Sequence, residues 1–248
     1  METPQFINRD KLYNEVEKIY EKYREAMEKH LEDFLKLKID PFKFLFDNKF
    51  TNTNFEETVA AEFLYQIEKT KQNALGEFQE NILKNCIKGI KEPDQTLKSR
   101  YSADIADING KWIAEVKNKH NTMNYGSAKT VFENLKRYVK DHPNNEAYLV
   151  IVIDKNSEFG LWKNDTPNVY KASIDQFLKK ITNDDKAFYK LTEQIKEIAD
   201  EIVKEKGSNI LDQNKMIKKI ISKLSEQNIT KIEDFFKETF KTYLGFDK

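Results

Sequence analysis

Asp104, Glu115 and Lys117 have the types and spacing for metal-assisted hydrolysis of a phosphodiester. They lie in YSADIADINGKWIAEVKNK (101–119), where Asn109-Gly110 separates two strand-like runs. Asn-Gly between such runs is the strongest short-range signal for a two-residue hairpin turn. With the turn placed there, Asp107 opposes Trp112, Ile105 opposes Ala114, Asp104 opposes Glu115 and Ser102 opposes Lys117. Side chains alternate faces along a strand, so Asp104, Glu115 and Lys117 share one face. Opposed residues have Cβ atoms roughly 4.5–5.5 Å apart, a distance at which two carboxylates repel unless something neutralises them. A divalent cation such as Mg²⁺ takes oxygen ligands and is commonly held by one or two carboxylates together with substrate phosphate. Such a cation would polarise the phosphoryl oxygen and acidify a water, while Lys117 would steady the developing charge or orient the attacking hydroxide. The plainer alternative is a solvent-facing hairpin with ordinary surface charges.

The neighbouring elements decide how such a hairpin is presented. A polar loop follows it, and Ser127 is placed to cap a helix over about 128–141, with Val131, Leu135 and Tyr138 on one side. His142-Pro143-Asn144-Asn145 breaks the chain, and AYLVIVID (147–154) reads as a strand buried on both faces. Hairpin, crossover helix and central strand specify an α/β (α+β) sheet with a right-handed crossover. Before it, an apolar stripe through Tyr13, Val16, Tyr20, Tyr23, Met27 and Phe34 predicts a helix over 10–38, ended at Asp40-Pro41. Asn54 and Glu57 have capping-box spacing and open a second helical region, closed by Gly89 and Pro93. From about 184 the chain is helical again, with breaks at Gly207 and near Asn228. The expected organisation is one domain, 1–248: a helical part (1–75), an α/β core (76–190) and a helical part (191–248).

Composition narrows the function classes. Cys86 is the only cysteine, which rules out an internal disulfide, and its helical apolar setting makes it core. No stretch approaches the roughly 18 apolar residues that span a bilayer, and METPQFINRDK lacks a signal-peptide apolar region, so a cytoplasmic protein with no membrane partner is expected. His30 and His142 look structural, and three scattered histidines give no zinc spacing. Neither G-x-x-x-x-G-K nor G-x-G-x-x-G occurs, so no nucleotide cofactor is expected. The balance of 42 Lys+Arg against 42 Asp+Glu argues at first against a nucleic-acid partner. By region it is uneven: residues 1–75 carry −3 and residues 76–140 carry +4. Over 116–140, Lys117, Lys119, Lys129, Lys136, Arg137 and Lys140 face Glu133 alone.

SADIADINGKWIAEVKNKHNT resembles the PD-(D/E)xK nucleases, and its continuation KNKHNTMN resembles type II restriction endonucleases, in particular a group cutting interrupted GGNCC sites. The resemblance covers roughly residues 75–190. It implies a restriction-endonuclease-like core with a central mixed sheet flanked by helices. It implies Mg²⁺-dependent cleavage of double-stranded DNA to 5′-phosphate ends, with Mn²⁺ able to substitute, by a homodimer within a restriction-modification system. Carried over by position, Asp104 and Glu115 would be metal ligands and Lys117 the catalytic lysine. Ala103 stands where the motif's proline would be. The fold also expects a strand before Tyr101, for which 94–100 is the candidate. The superfamily often adds a glutamate from the preceding helix; Glu80 is the choice over Glu77, against an ordinary surface acid.

For DNA binding the candidates are Asn118, Lys119, His120, Asn121, Thr122 and Asn124 after the E-x-K strand, with Lys129 and Arg137 on the crossover helix. Asn can pair with adenine and Lys with guanine, and phosphate contacts set register. A polar loop and a solvated helix face are the alternatives. Two rival functions remain at this stage: a structure-specific repair or recombination nuclease with the same chemistry, and a non-catalytic helical interaction protein.

Overall fold

The computed structural model describes residues 3–32, 34–36, 39–119, 123–163, 166–207 and 213–245. Two compact units divide the chain: residues 1–19 with 75–205, and residues 20–74 with 206–248.

The first unit holds the sheet. Its six strands are β1 (Ile90–Lys91), β2 (Ile105–Asp107), β3 (Trp112–Lys119), β4 (Glu146–Ile153), β5 (Phe159–Leu161) and β6 (Val169–Ser173). They run in the order β1-β2-β3-β4-β6-β5, with β3–β4 and β4–β6 parallel and the remaining pairs antiparallel. This is the expected mixed sheet. The hairpin register is also as expected, with Ile105 opposite Ala114 and Ala106 opposite Ile113. Its turn differs. Asn109 does not take the left-handed conformation that a type I′ turn needs; only Gly110 does, at φ +72°. The connection spans 108–111, closed by Gly110 N–H on the Asp107 carbonyl (3.0 Å) and Lys111 N–H on the Asp107 carboxylate (3.0 Å). Both turns keep the same pairing, which is why the register survives.

Helix α5 (Tyr125–Asp141) connects the parallel strands β3 and β4. Val131, Phe132, Leu135 and Tyr138 are buried with Ala106, Ile113, Ala147, Leu149 and Ile151 in one cluster, so α5 covers the sheet face on which Ile113 lies. Ser127 is not its cap. Asn124 is, its Oδ1 accepting the Ser127 N–H at 2.9 Å, so the helix starts before 128. The expected strand at 94–100 is instead helix α4 (Gln95–Tyr101), capped by Asp94, whose Oδ1 accepts the Leu97 N–H at 2.9 Å. The strand preceding the hairpin is β1, two residues long and too short to carry a period-two signal. Helix α6 (Ile174–Thr182) follows β6 directly, and α7 (Ala187–Lys206) follows it. Cys86 is buried, as expected, and burial pushes its thiol up to about 12.

The second unit is helical. It contains the later part of α1 (Arg9–Glu32), α2 (Pro41–Phe50), the first part of α3 (Phe55–Asn81), α8 (Gln213–Glu226) and α9 (Ile232–Thr239). Met27, Phe44, Phe63, Ile67, Ile220, Leu224 and Phe235 build its core. The expected helix over 10–38 stops at Glu32. Pro41 opens α2, where its missing N–H costs nothing, behind Asp40, whose Oδ1 accepts from Phe42 N–H (2.9 Å) and Lys43 N–H (3.2 Å). The capping box forms reciprocally: Asn54 Oδ1 accepts the Glu57 N–H (2.8 Å) and Glu57 Oε2 accepts the Asn54 N–H (2.9 Å). Gly207 and Asn228 end helices with positive φ, as their positions suggested. Among the described residues no helix is long and apolar enough to cross a membrane.

Candidate active site

Asp104 follows a left-handed residue, Ser102 (φ 57°, ψ 36°), which ends α4. Three links from α5 hold this approach. Asn134 Nδ2 donates to Ser102 Oγ (2.7 Å), Arg137 Nη1 donates to the Arg100 carbonyl (3.0 Å), and Asp141 accepts from Arg100 (2.7 Å) and the Tyr101 hydroxyl (2.8 Å). The Asp104 N–H then donates to the Ala114 carbonyl at 2.9 Å, and its Oδ2 accepts the Val116 N–H at 2.7 Å. Asp104 is thus fixed against the middle of β3 by both backbone and side chain.

Glu115 is buried and Lys117 half-buried on the same face of β3, with Lys117 Nζ 2.5 Å from Glu115 Oε1. Burial raises the Glu115 carboxyl, and the neighbouring Asp104 charge raises it further, to about 7, against the opposing pull of Lys117. Asp104 is raised as well, by burial first, with the Val116 N–H, Lys117 and Lys84 pulling the other way. Burial works against the Lys117 charge, yet its hydrogen bond to Glu115 and the charges of Glu115, Asp104 and Glu80 hold its pKa above the ordinary value. These three side chains, singled out from the sequence, do come together.

Glu80 of α3 belongs to the same electrostatic neighbourhood. Its carboxyl is raised by burial and then by Asp104, while Lys84 and Lys117 oppose the shift; Glu77 acts on it only weakly. Lys84 was missed in the sequence, although its i, i+4 relation to Glu80 was the available signal. It sits where α3 widens into a π turn, Ile82–Cys86. Asn134 and Arg100 were missed too, because their roles are tertiary and leave no local pattern; Ser102, expected opposite Lys117, instead ends α4 in the left-handed conformation.

The proposed DNA-contacting residues fare unevenly. Asn118 and Lys119 continue β3, and Asn118 Oδ1 is buried with no hydrogen-bond partner among the described residues. Asn124 is occupied by capping α5. Lys129 is exposed, and Arg137 is exposed but tied to α4. His120, Asn121 and Thr122 lie outside the described residues. His30 donates to or accepts from Thr70 (2.9 Å) and packs edge-on against Phe63, and His142 packs on Tyr138; both are structural.

The donor chemistry fits a hard cation. Half-buried Asp104 and buried Glu115 form an all-oxygen pair; burial and then the Asp104 charge raise Glu115, a condition that a divalent ion would relieve. Among the described residues no three His, Cys, Asp or Glu side chains form a group that could hold a metal ion. Two carboxylates would therefore be the protein's contribution to such a site, with Glu80 in their electrostatic neighbourhood.

A mixed sheet presenting an Asp…Glu-x-Lys hairpin beneath a parallel crossover defines a restriction-endonuclease-like core. Comparison with known proteins agrees. The family model described as Eco47II restriction endonuclease matches residues 5–204. The chain is 30% identical over 225 residues to the type II restriction enzyme Sau96I of Staphylococcus aureus, covering 83% of this chain and 84% of that one. It is 30% identical over 135 residues to the type II restriction enzyme Eco47II of Escherichia coli, covering 54% of each. The chain belongs to the Eco47II restriction endonuclease family, and it is a site-specific deoxyribonuclease by that membership.

Proposed function

We propose that this protein is a Mg²⁺-dependent type II restriction endonuclease in which Asp104 and Glu115 hold the metal and Lys117 is the catalytic lysine. The observation that carries the reading is the contact set itself: buried Glu115 of β3 with half-buried Asp104 repelling it and Lys117 against it. Mg²⁺, when bound, supplies polarisation of the phosphoryl oxygen and acidification of a water. Lys117, held against Glu115 at 2.5 Å, would stabilise negative charge on the phosphoryl oxygens or orient the attacking water. Asp104 is anchored through Oδ2 by the Val116 N–H, one residue from Glu115 along β3. Cleavage leaves 5′-phosphate and 3′-hydroxyl ends. Mn²⁺ substitutes, because it accepts the same oxygen donors.

Exposed Lys129 and Lys136 of α5 are suited to phosphate, with Asn118 and Lys119 approaching the bases. The likeness to a type II restriction enzyme extends over most of both chains and supports sequence-specific cleavage. The interrupted GGNCC target, cut in both strands by a homodimer in the cytoplasm, is our reading from the KNKHNTMN resemblance. Plasmid incubated with Mg²⁺ should give discrete fragments, and sequencing their ends would report site and stagger together. Lys117→Ala and Asp104→Asn should each lower the rate by about a hundred- to a thousandfold, the scale of losing charge stabilisation in the transition state. Nicks or branch-specific cuts without a common sequence would replace this reading with that of a structure-specific nuclease. Intact plasmid under all Mg²⁺ conditions would sink the cleavage reading.

A further inference from the structure

Helix α2 turns two different faces to its surroundings. Phe44 and Asn48 point inward: Phe44 packs on Phe235 and Phe236, while Asn48 Nδ2 donates to Thr58 Oγ1 (3.0 Å) and the Thr53 carbonyl (3.1 Å). On the outer face, Phe42, Phe46 and Phe50 are 69%, 54% and 79% exposed, at spacings of four. Phe46 and Phe50 already lie parallel, their ring centroids 5.2 Å apart at 6°. Tyr65 of α3, 51% exposed, extends the patch, with the Lys43 ammonium 5.1 Å from its ring centroid. Core packing does not account for three phenylalanines held in water on one stripe.

We infer that this stripe is a self-association surface, with a second copy of α2 packed antiparallel across a twofold axis at Phe46. The inference rests on the reading of the enzyme as a homodimer. Two observations favour a second copy as the occupant. The first is area. The three phenylalanines and Tyr65 expose about 500 Å² per copy, taking aromatic side chains at roughly 200 Å² each. A stable interface buries about 800 Å² per partner, and homodimer interfaces are about 65% apolar, so this patch matches the apolar centre of one. Lys43, Asp47 and Lys49 border it and supply a polar rim.

The second is charge. Lys43 and Asp47 lie one turn apart on the same flank of the stripe, with Lys43 Nζ 2.5 Å from Asp47 Oδ2 and 3.2 Å from Glu62 Oε2. A twofold at Phe46 reverses the helix direction while keeping that flank on the same side. It sets Phe42 level with Phe50 of the second copy and Lys43 level with Lys49 on the opposite flank, leaving Asp47 of the second copy on the Lys43 flank about 3 Å further along the axis, within reach of the lysine. The flank thus offers each copy a lysine and a carboxylate for the other, as an isologous contact permits.

The test is sedimentation equilibrium of the full chain at micromolar concentration, with DNA cleavage measured on the same samples. The wild-type protein should sediment as a dimer. Phe46→Glu and Phe50→Glu should each weaken association by at least about a hundredfold, equivalent to burying an unpaired charge at the interface centre, with unchanged far-ultraviolet circular dichroism. Phe46→Cys, the position on the axis, should oxidise to a covalent dimer, whereas Tyr189→Cys, exposed elsewhere, should not. A monomeric wild-type protein, or a dimer that survives both glutamate substitutions, would overturn the inference. Cleavage separates the two readings: a wild type that cuts DNA while its dimer ignores these substitutions refutes the surface alone. A dimer that responds to them but never cuts refutes the nuclease reading alone.

Discussion

Glu115 carries a testable consequence of its own protonation. Its folded pKa of about 7 lies above its ordinary value of 4.5, so between these values the folded protein holds a proton that the unfolded chain releases. Stability from this group is therefore lost as pH rises from about 4.5 to about 7, and the cost stays in full above that. Glu115→Gln removes it. The variant should gain about 1–3 kcal/mol at pH 8 and nothing at pH 4, measured by chemical denaturation at both values, while losing DNA cleavage. A variant less stable than wild type at pH 8 would show that Lys117 needs Glu115 more than the carboxylates repel. Metal capture reads the same proton. Below about pH 7 a cation must displace it, so Mg²⁺ affinity should rise close to tenfold per pH unit and level off above, by calorimetric titration. A flat profile from pH 5.5 to 8 would contradict a shared proton.

At the scale of elements, the capping box is the clearest case of sequence dictating structure. Asn54→Ala breaks one of its two reciprocal bonds and should lower stability by about 1 kcal/mol, seen as a lower denaturation midpoint with an unchanged slope. No loss would mean the helix start is held by its packing alone. Elements defined by local rules were legible in this way: the hairpin register, the crossover helix, the strand buried on both faces, and the breaks at Gly207 and Asn228. Those set by tertiary context were not. Residues 94–100 look extended by position, yet Asp94 supplies a cap and α5 supplies three polar contacts that hold them helical. The same physics divides the site. Asp104, Glu115 and Lys117 are joined by a hairpin and could be paired by counting residues. Lys84 and Asn134 approach from separate elements, and no spacing within one strand announces them.

Charge neutrality extends below the level of the whole molecule. Residues 1–19 with 75–205 carry 24 basic and 25 acidic side chains, and the remainder carries 18 and 17. Neither unit attracts DNA by net charge, so attraction must come from local surface and from covering the carboxylates of the site. Duplex binding should then tighten at least about tenfold when Ca²⁺, an oxygen-seeking ion, is added to metal-free protein. Fluorescence anisotropy of a labelled duplex would check this, and metal-independent binding would argue against it. In the same assay Lys129→Ala should reduce the salt dependence by about one unit of slope without altering the preferred sequence.

The bond from Val116 N–H to Asp104 Oδ2 places a backbone reporter inside the site. The strength of that bond follows the charge of the carboxylate, so the amide's proton resonance should move downfield when Asp104 ionises and shift again when a cation draws on its oxygens. Val116 is buried in the middle of a paired strand, where solvent exchange is slow and the signal persists. One nitrogen-15 label at this position would thus follow occupancy of the site by spectroscopy, without DNA and without turnover. An amide shift indifferent to both pH and Mg²⁺ would place the cation elsewhere.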